Sequence, residues 1–201
     1  MSYTKFSKEV TKWLKANNLP CYGTAYDRPE VTKARLEAWI LGSKEMLRQW
    51  IAEKRYRELI SCAHGGWYQD DVIFEPLAEH FVANHLFDEL RFLCERGIRF
   101  SVEDMLSTIK SEKEEHGVLD IEIIKNIDVP SYVAGRSYSN LGEIAKYRKR
   151  ALYQVIRYIG YLDKVHAPAE YLEQVNILQK RVADLSIKTN DLKPFRFRLA
   201  T

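Results

Sequence analysis

An all-α fold, built of stacked helical pairs in a solenoid-like manner and ending in a long antiparallel helical hairpin, is what this sequence predicts. Three observations predict it. Apolar residues recur every three or four positions through most of the 201 residues, the spacing that gives a helix one buried stripe. Proline, glycine and capping residues punctuate those stretches at helix-length intervals. An offset of 31 residues superposes Tyr56, Glu58, Leu59 and Gly66 on Phe87, Glu89, Leu90 and Gly97, which reads either as a repeated helical unit closed by glycine or as a coincidence between two amphipathic helices.

The elements follow in order. Phe6, Val10, Trp13 and Leu14 share a face between lysines, predicting a first helix over Thr4–Asn17 that ends at Asn17-Asn18-Leu19-Pro20. Pro29 suits the first turn of a second helix, where a missing N–H is no loss, with Val31, Ala34, Ala38 and Leu41 as its apolar positions. Gly42-Ser43 reads as a break before a helix bearing Met46, Leu47, Trp50 and Ile51, and an unbroken helix is the alternative. The chain turns between Ser61 and Gly66. A helix over Pro76–Ala83 closes at Asn84-His85, and Ser101-Val102-Glu103-Asp104 reads as a capped start of another reaching Glu115. Leu119–Ile127 fits either a short strand or a helical turn. The segment Asn126–Asn140, with proline, glycine and three serines, is the longest expected loop. Asn140 and Glu143 form a capping-box pattern opening a helix to Lys164 whose stripe is Leu141, Ile144, Ala145, Ala151, Leu152, Val155, Ile159 and Leu162. Pro168 starts the last helix, where Tyr171, Val175, Leu178, Val182 and Leu185 alternate steps of four and three, the seam of a paired helix. The tail Lys193–Arg198 alternates charge and aromatic and reads as extended.

Size and composition indicate one domain over residues 1–201, with a hydrophobic fraction of 46% and a charged fraction of 29%, ordinary for a globular protein. No apolar run approaches the roughly 18 to 20 residues of a membrane span, and the first ten residues lack a secretory apolar stretch. Cys21, Cys62 and Cys94 are odd in number and widely spaced, as expected of reduced thiols in a cytoplasmic protein. The net charge of +3 conceals an asymmetry: residues 1–66 carry 12 cations against 7 carboxylates, residues 67–130 carry 6 against 15, and residues 131–201 carry 13 against 6. An acidic middle between basic ends serves attraction within the fold or separate charged surfaces for partners.

Signatures of chemistry are few. His64-Gly65-Gly66-Trp67 and Gly135–Ser139 lie near hydrolase patterns, but a nucleophile elbow requires a strand before its serine. No phosphate-binding glycine loop occurs, so no nucleotide cofactor is expected. Glu75, Glu79, His80 and His64 form the one Glu/His cluster that suggests a metal-dependent enzyme. His80 and His85, five apart, point about 140° from each other on a helix, which disfavours shared ligation; Glu112 and His116 sit in a charged run. The sharper pattern is a basic stripe, Lys146, Lys149, Arg150, Arg157 and Lys164, with Tyr153 among them, spread over about 100° opposite the apolar face. Arg136 and Tyr138 in the preceding loop add the residue types that anchor interfaces, as do Tyr132, Tyr147 and Tyr161 nearby. These residues predict a non-catalytic protein-binding module with an acidic partner, an immunity-type inhibitor that covers a toxin being one form. The alternatives are nucleic-acid binding through the same helix and, third, the Glu/His metal enzyme. A homodimer is compatible with the seam of the last helix.

Overall fold

A computed structural model describes residues 2–21, 29–63, 70–127 and 140–192. Among them are eight α-helices and no strand, so the all-α class is observed. The predicted Asn126–Asn140 loop lies almost wholly outside the described residues, as do His64–Trp67, Gly135–Ser139 and the tail from Lys193. Contacts divide the chain into two compact units, Met1–Phe81 and Val82–Thr201.

In the first unit, α1 (Ser2–Ala16) buries Phe6, Val10 and Leu14, the residues its spacing placed on one face. It packs on α2 (Pro29–Ala52) and α3 (Tyr56–Cys62). Two expectations for α2 are corrected. The helix runs unbroken through Gly42-Ser43, because Gly42 is where α1 comes closest: a Cβ there would lie 3.1 Å from Val10 Cγ1, 3.2 Å from Leu14 Cδ2 and 3.3 Å from Trp13 Cε3. A side chain there would press those three side chains back by a few tenths of an ångström, so the helix crossing suits glycine, and packing offsets the roughly 1 kcal/mol that glycine costs a helix. Of the predicted stripe, only Ala38 is buried, whereas Val31, Ala34 and Leu41 are exposed. The buried positions lie further along, at Ala38, Met46, Leu47 and Trp50. A single π-helical turn over Asp70–Phe74 then leads into α4 (Glu75–Ala83).

In the second unit, α5 (Phe87–His116) follows a tight turn in which His85 adopts φ 54°. Here too the predicted punctuation fails. Gly97 and Ser101 both lie inside α5, so the second glycine of the 31-residue offset ends nothing, and Ser101 caps no helix. Ser101 is 1% exposed and its hydroxyl has no hydrogen-bond partner. Small side chains at 97 and 101 narrow α5 along its packed side. An unpaired buried hydroxyl is penalised by its desolvation, so Ser101→Ala is expected to raise stability by about 1 kcal/mol in urea unfolding. An unchanged or lower midpoint would show that the hydroxyl is satisfied.

Gly117 closes α5 in the left-handed region at φ 73°, its N–H bonded to Lys113 O at 3.0 Å. The ambiguous stretch after it resolves as α6 (Ile121–Asn126). Asp120 is the reason: its Oδ1 accepts from the N–H groups of Glu122 at 2.9 Å and Ile123 at 3.2 Å, which starts a helix and forbids a strand. Then α7 (Asn140–Lys164) packs on α5 and α6 and buries Ile144, Ala145, Ala151, Val155 and Leu162 of its predicted stripe, with Leu141, Leu152 and Ile159 half-buried. Pro168 precedes α8 (Ala169–Ala183), which packs on α7 through Val175, Leu178 and Val182. Arg148, early in α7, donates to Ala183 O at the end of α8 at 3.1 Å. A 3₁₀ turn over Thr189–Asp191 follows. The backbone N–H of Lys188 donates to Asp191 Oδ2 at 2.7 Å. That bond, aided by Arg181, holds the Asp191 carboxyl below its ordinary range.

Candidate functional site

The outward face of α7 is the best-defined surface of unusual chemistry. Between Glu143 and Asp163 the helix holds five cations and no carboxylate. Arg148 is turned inward to Ala183, leaving Lys146, Lys149, Arg150 and Arg157 as the outward set. Lys149 and Arg150 are exposed, and among the described residues no carboxylate stands within ion-pair distance of either. Lys146 reaches Glu143 at 3.5 Å and so is partly neutralised along its own helix. Arg157 bonds Gln154 Oε1 at 3.4 Å, and its guanidinium lies 5.6 Å from the Tyr153 ring centre. Lys164 extends the stripe, 5.5 Å from the Tyr161 ring.

Two features of this face go beyond the periodicity of its charges. Tyr153 is 58% exposed and Ile156 57%, so an apolar strip runs between the cations. Gly160 follows on the same side, with nothing within 4 Å of the position of its missing Cβ. Lys149, Arg150, Tyr153, Ile156, Arg157 and Gly160 span about 120° of the helix circumference. Of the other tyrosines near this helix, Tyr161 is buried. Tyr147 is half-buried, and burial pushes its hydroxyl above the usual phenol range, with Glu143 and Asp104 adding to the effect. Arg136, Tyr138 and Tyr132 lie outside the described residues.

Of the Glu/His cluster, the described members Glu75, Glu79 and His80 are not grouped as a ligand set. Tyr56 and His80 meet instead, hydroxyl to Nε2 at 3.2 Å, with Phe81 edge-on to Tyr56 at 5.2 Å. Burial pulls the His80 imidazole below its ordinary range. His85 is exposed beside Phe87, Glu112 is buried and His116 is exposed near Glu115. Among the described residues, no three His, Cys, Asp or Glu side chains are grouped to hold a metal ion, and His64 lies outside them. Cys62 and Cys94 are buried and Cys21 is half-buried, all as free thiols. Among the described residues no helix is long and apolar enough to cross a membrane.

A polar cluster that spacing alone did not single out lies inside the second unit. Arg91 Nε donates to Glu95 Oε1 at 2.8 Å, and both side chains are buried. Tyr158 lies beside them, and burial, reinforced by Cys94 and Glu95, drives its hydroxyl well above the usual phenol range, while Arg91 opposes the shift. Tyr171 donates to Asp88 Oδ1 at 3.2 Å. Burial, with Asp88 adding, raises the Tyr171 hydroxyl too. The readable signal was the i,i+4 step from Arg91 to Glu95. Both partners belong to α5, one turn apart, so the pair is a buried charge bridge within that helix. Compared with protein-family models, curated proteins and solved structures, the chain matches none.

Proposed function

We propose that the protein is a non-catalytic binding module whose outward α7 face takes an acidic protein partner. The observation that carries this reading is the combination on one face of Lys149 and Arg150 with the exposed Tyr153 and Ile156. Exposed apolar side chains rimmed by like charges are the chemistry of a protein interface, with tyrosine and arginine as its usual anchors. Gly160 adds room for a partner's backbone to approach α7. An immunity-type inhibitor that covers a toxin is one form such a module takes.

Nucleic-acid binding is the second reading, favoured by cations that run over about 27 Å of helix from Lys146 to Lys164 and by an exposed ring for stacking. It ranks below because Ile156 has no counterpart in phosphate chemistry and Lys146 already faces Glu143.

The two are separated with the whole chain immobilised in nuclease-treated extract of its own cells. An acidic protein is expected to be retained at low salt and to fall at least about tenfold with K149E/R150E, since charge reversal at an interface centre is worth a few kcal/mol. Retention of nothing that the variant loses would defeat the proposal. A short oligonucleotide whose affinity drops steeply with salt, and vanishes in R150E/R157E, would install the second reading in its place.

A further inference from the structure

Among the described residues of the second unit, a second cluster of exposed apolar side chains has the opposite charge around it. Past the left-handed Gly117, the elbow between α5 and α6 holds Val118, 75% exposed, and Ile123, 50% exposed, with Ile121 also on the surface. Of α6, only Ile124 is buried. Residues 112–122 bring five carboxylates and a single lysine. Of the carboxylates, Glu112 is buried and Asp120 caps α6, leaving Glu114, Glu115 and Glu122 at the rim. Glu114 meets Lys110 at 3.6 Å and Glu122 meets Lys125 at 2.8 Å, both as exposed pairs, which hold their charges loosely. An apolar elbow with an acidic rim and an apolar helix face with a basic rim thus occur in one unit. Five of the seven exposed large hydrophobic residues described there lie on these two patches.

We propose that the partner of the α7 face is a second copy of this chain, which presents to it the acidic α5–α6 elbow. Val118 and Ile123 of one copy cover Tyr153 and Ile156 of the other, while Glu114 and Glu122 face Lys149 and Arg150. Two copies related by a two-fold axis make this contact twice, since each has both halves. Closure of both patches at once removes the largest apolar exposures among the described residues of the second unit from water, and opposite rims set the register of the contact. This inference rests on the reading of the α7 face as a protein-binding surface and names its occupant.

Sedimentation equilibrium of the whole chain tests it, at about 100 µM protein in about 50 mM and about 500 mM salt, where screening lengths differ severalfold. The expected result is a dimer at low salt that weakens at least about tenfold at high salt. K149E/R150E and, separately, E114K/E122K each weaken the dimer by a similar factor while leaving the helical circular dichroism unchanged, since all four side chains are exposed. Mixing the two variants in equal amounts restores association, because native charges then meet at one contact and reversed charges at the other. A wild-type chain that stays monomeric, a dimer that neither variant changes, or a mixture that does not recover overturns the proposal. The broader reading is decided apart from it: an acidic protein from extract that K149E/R150E loses and E114K/E122K keeps preserves the α7 face as a binding surface with a different occupant.

Discussion

Trp50→Ala is expected to lower the stability of the first unit by about 3–5 kcal/mol, the range for deleting a large buried aromatic, read as a fall in the urea midpoint followed by circular dichroism. Three kinds of contact converge on this residue, which is 1% exposed. Its ring stands edge-on to Phe6 at 5.1 Å. Its indole N–H donates to Glu9 Oε2 at 2.6 Å. The Arg55 guanidinium lies over the ring at 3.5 Å and reaches the same Glu9 oxygen at 3.3 Å. Burial works against the Arg55 charge, but hydrogen bonds to Glu9 and Glu53 outweigh it, so the guanidinium stays protonated. Removing the indole therefore opens a cavity between α1 and α2 and also takes away the donor and the ring that hold the Glu9–Arg55 pair. Trp50→Phe separates these effects: it keeps most of the volume and loses the N–H, and its expected cost is about 1–3 kcal/mol. A loss below about 1 kcal/mol for the alanine variant would mean that α1 and α2 repack around the gap.

The second large effect belongs to the buried pair in the second unit. Arg91→Met removes the cation from Glu95, a side chain 3% exposed, and the expected loss is about 3–5 kcal/mol because a buried carboxylate loses its counter-charge. The double variant Arg91→Met with Glu95→Leu is expected to return to within about 1 kcal/mol of the wild type, since a well-packed apolar pair replaces two desolvated charges. The double-mutant cycle, measured by chemical denaturation, gives the coupling directly. Additive losses would show that the two charges are held independently, with Tyr158 and the other neighbours satisfying each.

Where local rules and tertiary packing agree, the sequence is easy to read. Asn140 through Lys164 emerges with the helix bounds it was assigned, because an apolar stripe and a basic outer face point the same way, although Asn140 turns its side chain to Glu115 at 3.0 Å and is itself helical. The turn at Asn84-His85 was legible for a similar reason, since a short polar pair tolerates the left-handed backbone that His85 adopts. Gly42 in α2, with Gly97 and Ser101 in α5, misled in the same manner. Each is a helix breaker or cap by local preference, and each is a small residue that an adjoining packed surface requires or admits. A glycine that permits close approach and a glycine that ends a helix carry the same letter, and only the neighbouring element tells them apart. The outward direction of Lys149, Arg150 and Tyr153 could be read from periodicity. The inward turn of Arg148 toward Ala183 and the exposure of Ile156 could not, because both depend on where α8 and α5 stop covering α7.

The unbroken run of α5 has a consequence for how the second unit assembles. Its centre, Gly97 to Ser101, has weak helical preference of its own, whereas Leu90–Cys94 before it and the charged Lys110–Glu115 turns after it are stronger formers. Left alone, such a chain nucleates as two separate helical halves, since the first turn is the costly one and glycine taxes propagation. In the folded unit the two halves are one helix, with Gly97 and Ser101 buried and α7, some fifty residues later in the chain, packed on α5. The continuity of α5 therefore draws on packing from distant parts of the chain as well as on local preference, and its central turn is where that packing contributes most.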